Sequence, residues 1–259
     1  MFNNKTVAAG VVLVLMVVFG VYRRSHHVSL PPESEMPQIM NEAAGTAPIP
    51  DPDTPGRKAL RDSFKYFLDE NKSYQIEADR HFLSGHLNDL LYPISFVRAG
   101  EPQEIIAELQ QLKALDQQHL TAIQRFPDVF KANLTAAGAS VADANAFERG
   151  MRNEISGGAL DEVSRAMDLD MKWIDAAIEL YQYANENQSN ISGRCAARLE
   201  FTSDDVRAHF VYLSDKVDEL GDQRDEATAA FNSRQRRNRH RMGLSSQDSG
   251  QLEVTDPVR

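Results

Sequence analysis

The sequence contains a single cysteine, Cys195, among its 259 residues. One cysteine cannot form an intrachain disulfide, and it cannot supply the paired thiolates of a CxxC motif or a zinc knuckle. The cysteine content therefore excludes a fold held together by disulfides, and it is compatible with either an oxidising or a reducing compartment.

Several motifs that carry enzyme chemistry are also missing. The sequence has no G-x-S-x-G elbow, no glycine-rich phosphate-binding loop and no H-E-x-x-H zinc motif, and it holds only 14 glycines. We therefore expect a protein that is not an enzyme and that uses no cofactor.

Basic residues are outnumbered by acidic ones. The formal net charge is −10, and residues 58–233 hold 18 lysines and arginines against 30 aspartates and glutamates, which gives that region about −12. A negative surface repels a phosphate backbone. The composition therefore argues against nucleic acid as a partner.

One long apolar run is present near the start of the chain, from Val7 to Tyr22, and Arg23 and Arg24 follow it. As a helix the run would rise about 24 Å, slightly short of a hydrocarbon core of about 30 Å. It predicts a transmembrane anchor over residues 6–22, after a short tail at 1–5. The anchor residues that we single out are Val7, Val11, Leu13, Leu15, Val18, Phe19 and Tyr22.

A cleaved signal peptide is the main alternative for this run. Cleavage needs small residues soon after the apolar stretch, and the first suitable pair, Gly45 and Ala47, lies more than twenty residues downstream. A buried core element is a weaker alternative, because nothing periodic interrupts the run. Flanking positive charges are nearly balanced, with a slight excess after the run, which favours a cytoplasmic carboxyl side. A short amino tail before a lone anchor instead favours export of the carboxyl side. We expect a single-pass cell-membrane protein whose large domain is extracytoplasmic.

Residues 23–56 are rich in proline, holding seven of the chain's eleven prolines. Proline lacks an amide donor and pushes its predecessor toward extended conformations. This segment therefore predicts a semi-rigid linker that holds the following domain away from the bilayer.

Residues 57–241 show apolar positions at helical spacing, which predicts an all-α fold. We expect an antiparallel helical bundle of four long helices and one or two short ones. Pro93 and Pro127 are expected to end the first two long helices, Ser140 and Asp143 to cap a later one, and only residues 196–201 to form a strand. Residues 242–259 lack periodicity and predict a disordered tail.

Three histidines fall on or beside apolar stripes of different predicted helices, each with an acidic residue one turn earlier. Such spacing places a carboxylate and an imidazole on one helix face, as in metal-binding bundles. The alternative is that each pair lies at the edge of the core. We favour this alternative, because the acid and the histidine of a di-iron bundle are three residues apart and only one pair here has that spacing. Asp170 lies within a further apolar helical stripe at residues 160–181, and we add it to these pairs. The candidate metal ligands are then Glu77, His81, Asp116, His119, Asp170, Asp205 and His209.

A basic block closes the last predicted helix. Arginines there suit the negative end of the helix dipole, or they contact anionic lipid, an acidic partner or, in a cytoplasmic domain only, nucleic acid. Its residues are Arg234, Arg236, Arg237, Arg239 and Arg241. The chain's one tryptophan, Trp173, is expected in the core, with an exposed binding role as the alternative.

Together these features favour a membrane-anchored, non-enzymatic helical protein that docks other proteins at the cell envelope. The lipid bilayer and a protein are its expected partners, and self-association is left open. The alternative is a ligand-sensing or metal-binding bundle that uses the histidine and acid layer.

Overall fold

The computed structural model describes residue 31 and residues 35–84, 86–154, 160–195 and 198–241. These residues are mostly helical, as predicted for an all-α protein, and they form six α-helices, two 3₁₀ turns and one hairpin. In chain order the elements are α1 Met36–Ala43, α2 Pro55–Ser84, 3₁₀ turns His86–Asp89 and Pro93–Phe96, α3 Glu101–Ala136, α4 Val141–Glu154, α5 Leu160–Glu186, β1 Ile191–Cys195, β2 Arg198–Phe201 and α6 Asp204–Arg241.

The chain divides into two compact units. Unit 1 comprises Met1–Ser73, His119–Ser164 and Ala229–Arg259, and unit 2 comprises Tyr74–Gln118 and Arg165–Thr228. Both units therefore draw on several helices that are distant in the sequence.

Unit 1 is built around phenylalanines from α2 and α3. The Phe67 and Phe126 rings are 4.8 Å apart, and Phe130 packs edge-on against both Phe64 at 5.7 Å and Phe126 at 5.5 Å. Edge-to-face pairs of this kind add roughly 0.5–1.5 kcal/mol to the burial of the rings. This cluster fixes the first half of α2 against the second half of α3.

The same cluster explains a wrong prediction about Pro127. The sequence predicted that α3 would end at this residue, but the helix continues through it to Ala136. Proline inside a helix costs about 3 kcal/mol because it cannot donate to the preceding turn. Here Phe126 and Phe130 are both fully buried, and keeping them on one helix face outweighs that cost.

Helix α1 lies within the segment that the sequence predicted to be an extended linker. Its Ile39 is fully buried, and so is the carboxylate of Glu42, which is paired with Arg57 of α2. The expectation of a spacer is therefore wrong for residues 36–43. Composition alone suggested a spacer, whereas burial of Ile39 and the ion pair stabilise a helix.

Helix α4, in unit 1, begins as predicted. The Asp143 amide donates to Ser140 Oγ at 3.1 Å, and that hydroxyl donates to the Asp143 carboxylate at 2.7 Å. The Ser140 hydroxyl therefore caps the helix as the Ser-x-x-Asp spacing indicated, but the Asp143 carboxylate accepts from that hydroxyl and not from the Ser140 amide, as it would in a full capping box. The sequence also predicts that this helix ends at Gly157 and Gly158, and these residues lie outside the described ranges.

Unit 2 is organised around Tyr181 of α5, which is fully buried. Its ring stacks on Phe96 at 4.5 Å, and Phe210 of α6 packs edge-on against Phe96 at 5.1 Å. The Tyr181 hydroxyl accepts the Leu91 amide at 2.8 Å and shares a 2.7 Å hydrogen bond with Ser95. The tyrosine therefore holds the irregular segment between α2 and α3 on α5.

That irregular segment corrects another boundary. The sequence predicted one helix as far as Pro93, but α2 ends at Ser84 and two 3₁₀ turns follow. Leu91, between the turns, has a positive φ of 66°, a backbone conformation that a helix cannot contain.

The predicted strand is confirmed in part, as β2, and it pairs antiparallel with β1, which was not predicted. Ile191 lies opposite Phe201, whose ring packs at 5.3 Å from Phe210. The hairpin therefore covers one end of the aromatic core of unit 2.

No helix in the described ranges is both long and apolar enough to cross a bilayer. The predicted anchor at residues 6–22 and the predicted disordered tail at 242–259 lie outside these ranges.

Candidate functional site

The candidate metal ligands do not form a metal site. Within the described residues, which include all seven candidates, no group of three or more histidine, cysteine or acidic side chains is placed to hold a metal ion. The three histidine and acid pairs therefore do not meet in one such group, and their convergence was the less favoured alternative from the sequence.

Several candidates have other roles. His81 is buried in the last turn of α2, while Glu77 forms a 2.8 Å ion pair with Arg80. Asp205 is exposed in the first turn of α6, where a carboxylate favours the positive end of the helix dipole.

Two of the predicted acids, Asp116 and Asp170, do come together in unit 2. The Tyr74 hydroxyl donates to Oδ1 of Asp116 at 2.6 Å, and Arg224 donates to Oδ1 of Asp170 at 3.4 Å. The carboxyl groups of Asp116 and Asp170 each influence the pKa of the other, which links these two pairs. The result is a buried acid cluster, defined here as Tyr74, Asp116, Asp170 and Arg224, with members from α2, α3, α5 and α6.

Burial controls the charge of this cluster. Asp116 is 1% exposed, and its burial, together with the negative charge of Asp170, raises its pKa to about 8. The Tyr74 hydrogen bond and the Arg224 guanidinium oppose that rise. Burial also raises the pKa of Asp170, but the Arg224 guanidinium opposes this rise directly. The Asp170 side chain is 31% exposed.

The hydrogen-bond geometry agrees with a neutral Asp116. Its Oδ2 is buried and meets no N–H or hydroxyl donor in the described part of the chain. An ionised carboxylate in that position would lose its hydration without compensation, which is costly. A protonated Asp116 avoids that cost, in agreement with its raised pKa.

Trp173 belongs to the same region of unit 2. It is 2% exposed, which confirms the predicted core position, and the Arg224 guanidinium lies 5.0 Å from its ring centroid. Gly221, one turn before Arg224, lies beside the same ring, and a Cβ there would be in ordinary van der Waals contact with Trp173 Nε1 at 3.6 Å. The cation over the indole is stabilised by the ring quadrupole as well as by Asp170.

Sequence reasoning missed Tyr74 and Arg224 as members of this cluster. Tyr74 was counted only as an apolar helix position, and Arg224 was not considered. A signal was present, since Arg224 follows Val217 by seven residues and therefore lies on the buried stripe of α6.

His119, in unit 1, is a separate case. It is 4% exposed, and burial lowers its pKa to about 4, so the imidazole is neutral at physiological pH. It therefore behaves as a core histidine, whereas the favoured alternative for these residues was a position at the edge of the core.

A second feature of unit 2 is an aromatic patch at the surface, defined as Tyr183, His209 and Tyr212. The His209 ring lies 4.5 Å from that of Tyr183 and 6.0 Å from that of Tyr212. Tyr212 is 63% exposed and His209 is also exposed, whereas Tyr183 is half-buried. This is where the structure places His209, as part of a surface row of rings.

The predicted basic block is the end of α6, since the helical backbone continues through Arg241.

Comparison with known proteins gives no function by similarity. No family model matches this chain, and neither does a curated protein or a solved structure. The function must therefore be argued from the two features of unit 2.

Proposed function

We propose that this protein is a single-pass, membrane-anchored helical protein that binds another protein and has no enzymatic activity. In this proposal residues 6–22 form the anchor, residues 23–35 and 44–54 space the helices from the bilayer, and the antiparallel helices form an exported domain at the cell envelope. The anchor rests on the length and apolarity of the run at residues 7–22, and the binding role rests on unit 2.

The aromatic patch is the observation that carries the binding role. Exposed large apolar side chains are common singly, but a row of two tyrosines and a histidine is a concentrated surface. Tyrosine is enriched in protein interfaces and at their energetic centres, because its ring buries a large area while its hydroxyl keeps a hydrogen bond. Tyr183 on α5 and Tyr212 on α6 provide two such rings, one on each side of His209.

The buried acid cluster supports a non-enzymatic role. Catalytic acids and bases must reach a substrate, whereas Asp116 is enclosed and engaged by Tyr74 and Asp170 within unit 2. A group in this position holds a proton inside the fold.

The cluster also favours a second candidate function, which is sensing. A buried acid whose pKa is raised to about 8 makes the proton itself the ligand of a sensing bundle. This candidate predicts that pH alters the stability of the protein, which chemical denaturation at several pH values tests.

A photo-crosslinking experiment in cells of the source organism tests the binding role. We expect a photoreactive phenylalanine analogue at position 212 to give a discrete adduct with another protein. The matched control is position 92, because Tyr92 is 60% exposed on the same unit but lies outside the patch. Equal adducts at both positions, or none at position 212, would contradict the proposal.

Membrane fractionation of the same cells tests the anchor. We expect the full-length chain to stay in the membrane pellet after a carbonate wash, and a Leu15→Lys, Val18→Lys variant to be released, because two charges in the apolar run oppose insertion. Recovery of a shortened chain that begins near Pro48 would show that the run is a cleaved signal.

A further inference from the structure

The aromatic patch lies where α5 and α6 pack against each other. The Tyr183 and His209 rings are 4.5 Å apart, and the Tyr183 hydroxyl donates to the Val206 carbonyl of α6 at 3.4 Å. Glu179 of α5 and Lys216 of α6 form a 2.7 Å ion pair further along the same contact. Earlier positions on α5 therefore meet later positions on α6, so the two helices run antiparallel along the patch.

Two exposed acids flank the rings at the end of the patch opposite that ion pair. Glu186 lies one turn after Tyr183 on α5. Asp205 lies one turn before His209 on α6. Residues three or four apart share a helix face, so each carboxylate lies on the face of the ring of its own helix. Both acids are exposed, and neither forms an ion pair with another residue of the described ranges.

The charge around the rings is negative on balance. Asp215 is a third exposed acid, three residues after Tyr212 on the same face of α6. Lys216, the cation on this side of α6, is already engaged in the ion pair with α5. Arg207 is two residues from His209, and such a step places it on a different side of the helix. The rings are therefore bordered by more carboxylates than cations.

Aromatic rings and uncompensated carboxylates favour the same kind of ligand group. A cation is attracted to the face of a tyrosine ring, and a carboxylate accepts two parallel hydrogen bonds from a guanidinium. Arginine satisfies both contacts at once, because its planar group stacks on a ring while its edge donates to an acid. The interior of unit 2 contains such an arrangement, since Arg224 lies 5.0 Å from the Trp173 ring centroid and donates to Asp170.

We propose that the aromatic patch binds a positively charged, arginine-bearing segment of another protein. A guanidinium of that segment stacks on the exposed Tyr212 ring, and further cations pair with Glu186 and Asp205. This inference rests on the proposed binding role and adds the chemistry of the partner. The negative border of the patch disfavours an acidic partner or an anionic lipid surface, because like charges repel.

Binding of synthetic peptides to the full-length chain in a neutral detergent tests this partner class. The probe is a fluorescently labelled peptide of alternating glycine and arginine, and the comparison peptides carry lysine or glutamine in place of arginine. We expect no measurable binding of the glutamine peptide, and weaker binding of the lysine peptide because lysine lacks the planar group. Equal binding of the arginine peptide and either comparison peptide, measured by fluorescence anisotropy, would overturn the proposal.

Substitutions of Tyr212 test whether the arginine peptide binds at the patch. Tyr212→Ala should weaken binding about two- to fivefold, as expected for an exposed contact between a cation and a ring. Tyr212→Phe keeps a ring and should bind nearly as the wild-type chain does. The matched control is Tyr92→Ala, which removes an exposed tyrosine of the same unit and should leave the affinity unchanged. Wild-type affinity in Tyr212→Ala would overturn the proposal.

Two double variants of equal charge test the acids. Glu186→Gln with Asp205→Asn removes both acids at one end of the patch and should weaken binding of the arginine peptide about twofold or more. Asp222→Asn with Glu226→Gln removes the same charge from exposed positions further along α6 and should have a smaller effect. Equal losses would show that the peptide responds only to overall charge, which would also overturn the proposal. Circular dichroism verifies that each variant is folded.

The photo-crosslinking experiment at position 212 separates this inference from the proposed binding role. We expect mass spectrometry of the adduct to place the crosslink on a partner segment that contains arginine. A discrete adduct on a neutral or acidic segment would overturn this inference and leave the binding role in place. Absence of an adduct at position 212 contradicts the binding role itself, and the inference falls with it.

Discussion

The Tyr74 hydroxyl donates a 2.6 Å hydrogen bond to Oδ1 of Asp116, which joins two helices of unit 2 across 42 residues of sequence. The acceptor is a buried carboxyl group, and burial raises the pKa of this group to about 8. The hydrogen bond opposes that rise, because it stabilises the ionised carboxylate, and the behaviour of this acid with pH is the most direct test of the cluster.

Asp116 makes the folded state lose stability as pH rises. Between its ordinary pKa of 3.8 and its folded pKa of about 8, the folded chain keeps a proton that the unfolded chain releases. The free energy of unfolding therefore falls over this range, by up to about 1.4 kcal/mol per pH unit. His119 acts in the opposite direction, because its pKa is lowered from 6.5 to about 4 and it destabilises the fold as pH falls through that range.

These two groups predict a specific pH profile. Their slopes oppose each other below about pH 6.5, and above it Asp116 acts without that opposition, so the free energy of unfolding should fall between about pH 6.5 and 8. Asp116→Asn should remove that fall, since an amide can accept from Tyr74 without titrating. Urea unfolding of the full-length chain at several pH values measures this. The control is Asp69→Asn, an exposed acid, and a fall that survives in Asp116→Asn would contradict the assignment.

Removing the phenol of Tyr74 should destabilise unit 2. Tyr74→Phe leaves Oδ1 of Asp116 buried without its donor, at a cost of about 1–3 kcal/mol. The hydrogen bond also lowers the pKa of Asp116, so its loss should move the upper limit of the pH-dependent fall to higher pH. Thermal melting at pH 7 and pH 9 gives both results. Tyr92→Phe is the matched exposed control and should change neither.

The stripe of α5 offers a test of the core. Ile174 is fully buried, so Ile174→Asp places an unpaired charge in an apolar site and should cost several kcal/mol. Ile76→Asp makes the same chemical change at a residue that is 57% exposed, and it should have little effect. Chemical denaturation of the two variants compares them, and equal stabilities would show that the α5 stripe is not core.

Glu42 of unit 1 predicts a local effect. Its fully buried carboxylate accepts from Arg57 at 3.2 Å and lies 3.8 Å from Arg61, which also pairs with Asp53 at 2.7 Å. Glu42→Gln leaves two buried guanidinium groups without that charge, and loss of one partner of a buried pair costs about 3–5 kcal/mol. Hydrogen exchange should quicken at the α1 amides near Ile39, whereas Asp69→Asn, which breaks the exposed pair with Lys65, should leave them unchanged.

Local signals in the sequence were sufficient to predict the features that neighbouring residues determine. The cap of α4 follows from Ser140 and Asp143, three positions apart, and the core position of Trp173 follows from its helical stripe. Each depends on residues within one or two turns of the same helix.

Features that depend on distant partners were not predictable in this way. Helix α1 was missed because Glu42 is stabilised by Arg57, fifteen residues later. Asp116 and Asp170 were named as candidates, but Tyr74 and Arg224 complete the cluster from other helices, and no spacing rule connects them. Pro127 was misread because its local cost is visible in the sequence, whereas the packing of Phe126 and Phe130 that outweighs it is not.

The ion pairs between α1 and α2 have a mechanical consequence. A pulling force applied to the chain before α1 would reach the rest of unit 1 through the contacts of Glu42, Arg57 and Arg61. Because the buried carboxylate meets two guanidinium groups on successive turns of α2, detaching α1 requires both contacts to be broken. Helix α1 would then bear the applied force before that force strains the phenylalanine core of unit 1.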